Sequence, residues 1–294
     1  MARCLFDRVI VVDWSAASRP GPERESHDRC WLAWGGPRTS SKPLYFRTRA
    51  DAERRIAALI GDTQGNVLVG FDFPFGYPIG SKLGGGRALA AKLHGLIEDA
   101  PDGRNNRFEV AARLNIELGA PPGPFWGCTY GNASAALRPT KPAYDGRAFA
   151  ERRIADGTLR HRQIMPVWQL LGRGAVGGQM LLGLPAVHRL LQRFGARARV
   201  WPFETGWDDD LEGIVIAEMW PSLNDHDRQR HPIKDARQVS ATRDWLLKSD
   251  GSGELRRHLA RPDALTAAQL EVCQTEEGWI VGAEAAASSR RKLA

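Results

Sequence analysis

Val9-Ile10-Val11-Val12-Asp13-Trp14-Ser15 and Val67-Leu68-Val69-Gly70-Phe71-Asp72-Phe73-Pro74 are short apolar runs, each ending in an aspartate and a turn. Runs this short, rich in Val and without polar alternation, read as buried parallel strands rather than helices. In an open α/β sheet, ligands bind beyond the carboxyl ends of such strands. Two neighbouring strands lie ~5 Å apart, so the Asp13 and Asp72 carboxylates are expected to meet at one sheet edge. Like charges at that distance raise a pKa or hold a cation. The pair therefore points to a metal site and to an enzyme.

Working outward, strands are expected at 30–34 and 44–47, then a helix at 50–60 on the spacing of Ala52, Ile56, Leu59 and Ile60. From Tyr77 to about residue 199 the pattern turns glycine- and proline-punctuated, with helical spacing at 87–98, 106–118 and 185–194. This reads as a mostly helical insertion. Strands resume at 199–203 and 213–218, followed by helices at 233–247 and 254–259. The stretch 276–282 closes the fold. The run at 214–217 also ends in a carboxylate, Glu218, and Asp235 opens the helix after it. Strand-end acids plus a helix acid form the set that two-metal phosphodiester chemistry uses, because hard divalent ions take carboxylate oxygens. Each acid also has a plainer reading: Asp caps turns, and the helix dipole alone favours Asp235.

The chain has 294 residues, 43% of them hydrophobic, and a formal charge of +7. That length can bury a full core. No apolar stretch reaches ~18 residues, so no membrane span is expected, and the amino terminus lacks a signal-peptide pattern. Cys4, Cys30, Cys128 and Cys273 form no CxxC pair, which predicts reduced thiols in a cytoplasmic protein. Arginines cluster at 47–55, 147–162, 189–199 and 256–261. Such a surface suits nucleic acid or another phosphate-bearing partner, and equally a set of solvated helix faces. The seven histidines show no metal spacing, and no Ser–His–Asp pattern is present.

Gly172-Arg173-Gly174-Ala175-Val176-Gly177-Gly178-Gln179 is glycine-rich and could cradle phosphate on backbone N–H groups, with Arg173 and Gln179 as substrate contacts. It lacks the Walker spacing and follows a helix-like 167–171 rather than a strand. Of ten tryptophans, Trp168 and Trp201 read as core. Trp14 and Trp126, beside serine or glycine turns, are the candidates for base stacking. Ser15 and Lys234 flank the acids and are further substrate-contact candidates.

The stretches VVDWSAAS (11–18), VGFDFPFGYP (69–78), AEMWPS (217–222), KDARQV (234–239) and EEGWIVG (276–282) resemble an uncharacterised family of predicted nucleases with a ribonuclease H-like fold. GPFWG (123–127), VWQLLGRGAVGGQ (167–179), VWPFETG (200–206) and NNRFEVAARLN (105–115) also fit, so the resemblance spans nearly the whole chain. It implies an α/β ribonuclease H-like mixed sheet flanked by helices, in a single domain over 1–284. The large helical insertion, about 79–198, would separate the fourth and fifth core strands, and 285–294 would be a disordered tail. Asp13 would be the first-strand acid, Asp72 the fourth-strand acid and Asp235 the helix acid, all three as ligands of Mg²⁺ or Mn²⁺. Glu218 would be a further catalytic acid or a group behind the ligands. The chain departs from the pattern in having no clear acid on its first helix. The function expected is metal-dependent hydrolysis of nucleic-acid phosphodiesters. The rivals are an ATP/Mg-binding phosphotransferase of the sugar-kinase or actin-like type, and a non-catalytic nucleic-acid-binding module.

Overall fold

The computed structural model describes residues 4–144, 148–159, 164–208 and 210–284. Its centre is a mixed seven-stranded sheet flanked by helices. Strand β1 (Arg8–Asp13) pairs antiparallel with β2 (Cys30–Gly36), and β2 also pairs antiparallel with β3 (Thr39–Ser40) and β4 (Leu44–Phe46). On its other side β1 runs parallel to β5 (Val67–Phe71), which runs parallel to β7 (Ile214–Glu218). The short β6 (Ala198–Val200) completes that edge. The order across the sheet is thus β3-β2-β1-β5-β7-β6, with β4 beside β2.

The central strands are buried on both faces, which is why their sequences are continuous apolar runs. Ile10, Val12, Val67, Val69, Phe71, Ile214 and Ile216 point into one cluster; Val9, Val11, Leu68, Val215 and Ala217 point into the other. The first cluster is covered by α1 (Arg49–Gly61), α2 (Gly86–Leu96), α3 (Arg107–Glu117) and α5 (Gly177–Phe194). The second is covered by α6 (Lys234–Ser252) and α7 (Leu255–Leu259), with Ala155 and Leu159 from around the short α4 (Ile154–Thr158). Helix α8 (Ala267–Val272) continues into a π-helical turn, Cys273–Glu277.

Several expectations need correction. Residues 167–171 are not helical; Gln169 bridges to Trp126 instead. Helix α5 starts at Gly177, not at 185, and carries Pro185 in its interior. The strand expected over 199–203 stops at Val200, and 276–282 adds only a bridge from Ile280 to Glu218. The tail 285–294 and part of the 147–162 basic cluster lie outside the described residues. All four cysteines are free thiols. Among the described residues no helix is long and apolar enough to cross a membrane.

Candidate acidic site

Strand register brings Asp13 and Asp72 together. Val12 is opposite Phe71, so the next residue on each chain is an aspartate. The Asp72 N–H continues the ladder to the Val12 carbonyl at 3.2 Å. The two half-buried carboxyls act on each other's ionisation. Burial, then the Asp72 charge, then that of Asp235, holds Asp13 far above the usual carboxylate range. Burial raises Asp72 to about 7, against the hydrogen bonds that favour its charged form. Those bonds come from the Trp14 N–H to Oδ1 at 2.7 Å and from Gln179 Nε2 to Oδ2 at 3.0 Å.

Gln179, in the first turn of α5, also donates to the Trp14 carbonyl at 2.6 Å and so locks that helix end to the β1 turn. Asp235, in the first turn of α6, accepts from the Asp28 N–H at 2.9 Å. Asp28 has φ +55, a left-handed conformation that Asp tolerates better than most residues. Its own charge adds to the repulsion at Asp13. The Ser15 side chain is buried; its Oγ donates to the Asp28 carbonyl at 3.0 Å and accepts from the Ala17 N–H at 3.1 Å. Ser15 thus shapes the loop after Asp13. Arg49, paired with Asp99, donates to the Ser15 and Ala17 carbonyls beneath that loop.

Glu218 is not brought to this pair. It is in register with Phe71, one residue short of Asp72, so it falls on the Ile214 and Ile216 face of the sheet. Both of its oxygens are held by Arg153 at 2.7 Å, and Arg153 is also bound by Asp156 and the Glu277 carbonyl. Glu277 in turn accepts from the Ile79 and Ile154 N–H groups. This buried cluster clasps β7 to three distant segments.

Trp14 does not offer a stacking face: it is 1% exposed and packs edge-on against Phe71 and Phe73. Trp126 is half-buried, its backbone paired with Trp168 and Leu170. Lys234 is exposed at the start of α6, and Arg173 is exposed in the turn before α5. Neither makes a hydrogen bond to the acids. Asp28 was missed because an isolated polar loop residue carries no pattern. The buried Arg107 was missed because it looks like one more arginine on a helix.

The donor set at the pair consists of hard carboxylate oxygens. No arginine or lysine stands among the groups that act most strongly on either. Among the described residues no group of three or more His, Cys, Asp or Glu side chains is arranged to enclose a metal ion. Two adjacent carboxylates without a counter-charge nevertheless fit an ion such as Mg²⁺, which is held by one or two carboxylates with water and substrate phosphate supplying the rest. Comparison with family models, with curated proteins and with solved structures gives no match.

Proposed function

We propose that the chain is a divalent-metal-dependent phosphodiesterase acting on nucleic acid, built on a ribonuclease H-like core. The observation that carries the reading is the Asp13–Asp72 pair: two carboxyls at the carboxyl ends of adjacent parallel strands, both with pKa values raised chiefly by burial, and with no cation among the groups that act most strongly on them. In this reading β1, β2 and the β3/β4 edge are the antiparallel half, and β5 and β7 are the fourth and fifth core strands. Helices α2 to α5 are then the insertion, and β6 is an added edge strand.

Asp13 and Asp72 would hold Mg²⁺ or Mn²⁺, with Asp235 behind them from α6. Bound there, the ion would acidify a water and offset the charge on a phosphodiester. Gln179 and the Trp14 N–H favour the ionised form of Asp72 and fix its orientation. A cation bound there would favour the ionised form of both carboxyls. Ser15 and Asp28 hold the loop that places Asp235.

The test is Mn²⁺ binding by calorimetry together with Mn²⁺-dependent cleavage of single-stranded, duplex and structured DNA and RNA. Wild type should bind and cleave; Asp13→Asn and Asp72→Asn should lose cleavage by ~10³-fold or more, the scale of losing transition-state charge stabilisation. Unchanged cleavage in Asp13→Asn, or tight Mg-ATP binding without cleavage, would overturn the reading.

A further inference from the structure

Arg107, the first residue of α3, is 5% exposed, yet no carboxylate among the described residues forms an ion pair with it. Its Nη1 donates to Ser18 Oγ at 2.8 Å and to Asn105 Oδ1 at 2.7 Å, both neutral acceptors. Its Nε is buried without a partner, and its Nη2 makes no hydrogen bond among the described residues. The carboxylate nearest in effect, Asp99, is already taken by Arg49, whose own positive charge also bears on Arg107. The guanidinium lies over the Phe108 ring, 4.2 Å from its centroid, which offsets part of the burial cost; a buried guanidinium without a carboxylate still costs several kcal/mol unless an anion joins it.

The first turn of α5 lies against this group. A Cβ on Gly178 would come within 3.6 Å of Arg107 Nε and 3.2 Å of the Ala16 side chain. It would also sit 2.6 Å from the Leu170 carbonyl, so only glycine fits there. Val176, at the N-cap, contributes no side-chain cap. The Gly177 N–H goes to Gln169 and the Met180 N–H to Val176, while those of Gly178 and Gln179 have no partner among the described residues. An eighteen-residue helix thus presents free N–H groups and its positive end beside an unpaired arginine. The next residue, Gln179, is the one bonded to Asp72.

We propose that Arg107, Ser18 and the Gly178–Gln179 amides form a phosphate-binding subsite beside the acid pair. Arg107 supplies the fork that phosphate recognition favours, and the helix end supplies backbone donors. The site would hold a phosphate of the substrate next to the scissile one, an assignment to substrate that rests on the phosphodiesterase reading. The Gly-rich stretch then acts through Gly178 and the start of α5, not through Arg173.

The experiment titrates inorganic phosphate into the full chain in EDTA at constant ionic strength, read by calorimetry and by the thermal midpoint. Wild type should bind phosphate and gain thermal stability with its concentration. Arg107→Gln should bind at least ~10-fold more weakly, the loss expected for a charge-assisted hydrogen bond. Without phosphate its midpoint should equal or exceed that of wild type, because a buried unpaired charge is gone. A purely structural arginine would lower that midpoint instead. Ser18→Ala, at an exposed position, should weaken phosphate a few-fold and keeps the test open if Arg107→Gln does not fold. Absence of phosphate binding by wild type, or binding by both variants as tight as that of wild type, would overturn the proposal. Asp13→Asn should retain phosphate binding in EDTA, so failure of the metal reading and failure of this subsite are separately visible.

Discussion

Asp13 and Asp72 end paired parallel strands, and burial raises the pKa of both carboxyls. That has a signed consequence for stability. A carboxyl whose pKa is higher folded than unfolded binds more protons in the native state once pH exceeds about 4, so stability falls as pH rises through the folded value. For Asp72 that value is about 7, and for Asp13 it is higher. Urea denaturation in EDTA should therefore show wild type losing stability between pH 5 and pH 8, on the order of 2 kcal/mol more than Asp13→Asn loses. Mn²⁺ should abolish the difference in slope, and its affinity should rise with pH as it competes with protons at the pair. Parallel slopes in EDTA would show that folding does not raise the Asp13 pKa. At this scale the sequence reading could find Asp13 and Asp72, since both end apolar runs. It could not separate them from Glu218, because a one-residue difference in register is invisible without the pairing partner.

Among the elements, α5 shows most clearly what the sequence concealed. Gly177, Gly178, Gly183 and Pro185 each lower helix propensity, and a propensity reading starts the helix after them. Tertiary packing overrides it. The missing Cβ of Gly177 faces the Val167 carbonyl at 2.4 Å, and that of Gly183 faces the Phe73 ring at 2.3 Å. The glycines let α5 press onto the aromatic turn that follows β5. Gly183→Ala should thus destabilise by about 1–3 kcal/mol through overpacking, although alanine is intrinsically the better helix former. A chemical-denaturation midpoint equal to or above wild type would refute that account. The Arg153 clasp is similar in kind. Arg153, Glu218, Asp156 and Glu277 are scattered in sequence and buried together. Arg153→Met strands the Glu218 and Asp156 carboxylates and is expected to cost about 3–5 kcal/mol. Glu218→Gln, which can still accept from Arg153, should cost less. Equal losses in the two variants would argue against an arginine-centred clasp.

Across the whole molecule, the sheet was legible where strands are buried on both faces and illegible at its margins. β1, β5 and β7 announce themselves as apolar runs, and their shared core fixes the site edge. The edges β3 and β6 are two and three residues long, too short to leave a pattern. Charge had the same ambiguity. The sequence carries a formal charge of +7, but many arginines are neutralised in place: Arg189 by Glu53, Arg87 by Glu204, Arg49 by Asp99 and Arg153 by two acids. Phosphate contacts should therefore be few and specific rather than spread over the surface. Binding of a fluorescent single-stranded oligonucleotide in EDTA should weaken as salt rises from about 50 to 200 mM, with a log–log slope set by the number of phosphates engaged. Arg107→Gln should reduce the magnitude of that slope by about 1, the signature of one lost phosphate contact. Arg189→Gln removes a charge already satisfied by Glu53 and should leave the slope unchanged. Equal changes in both variants would mean that the net charge of the surface, not the unpaired arginine beside the acid pair, governs the interaction.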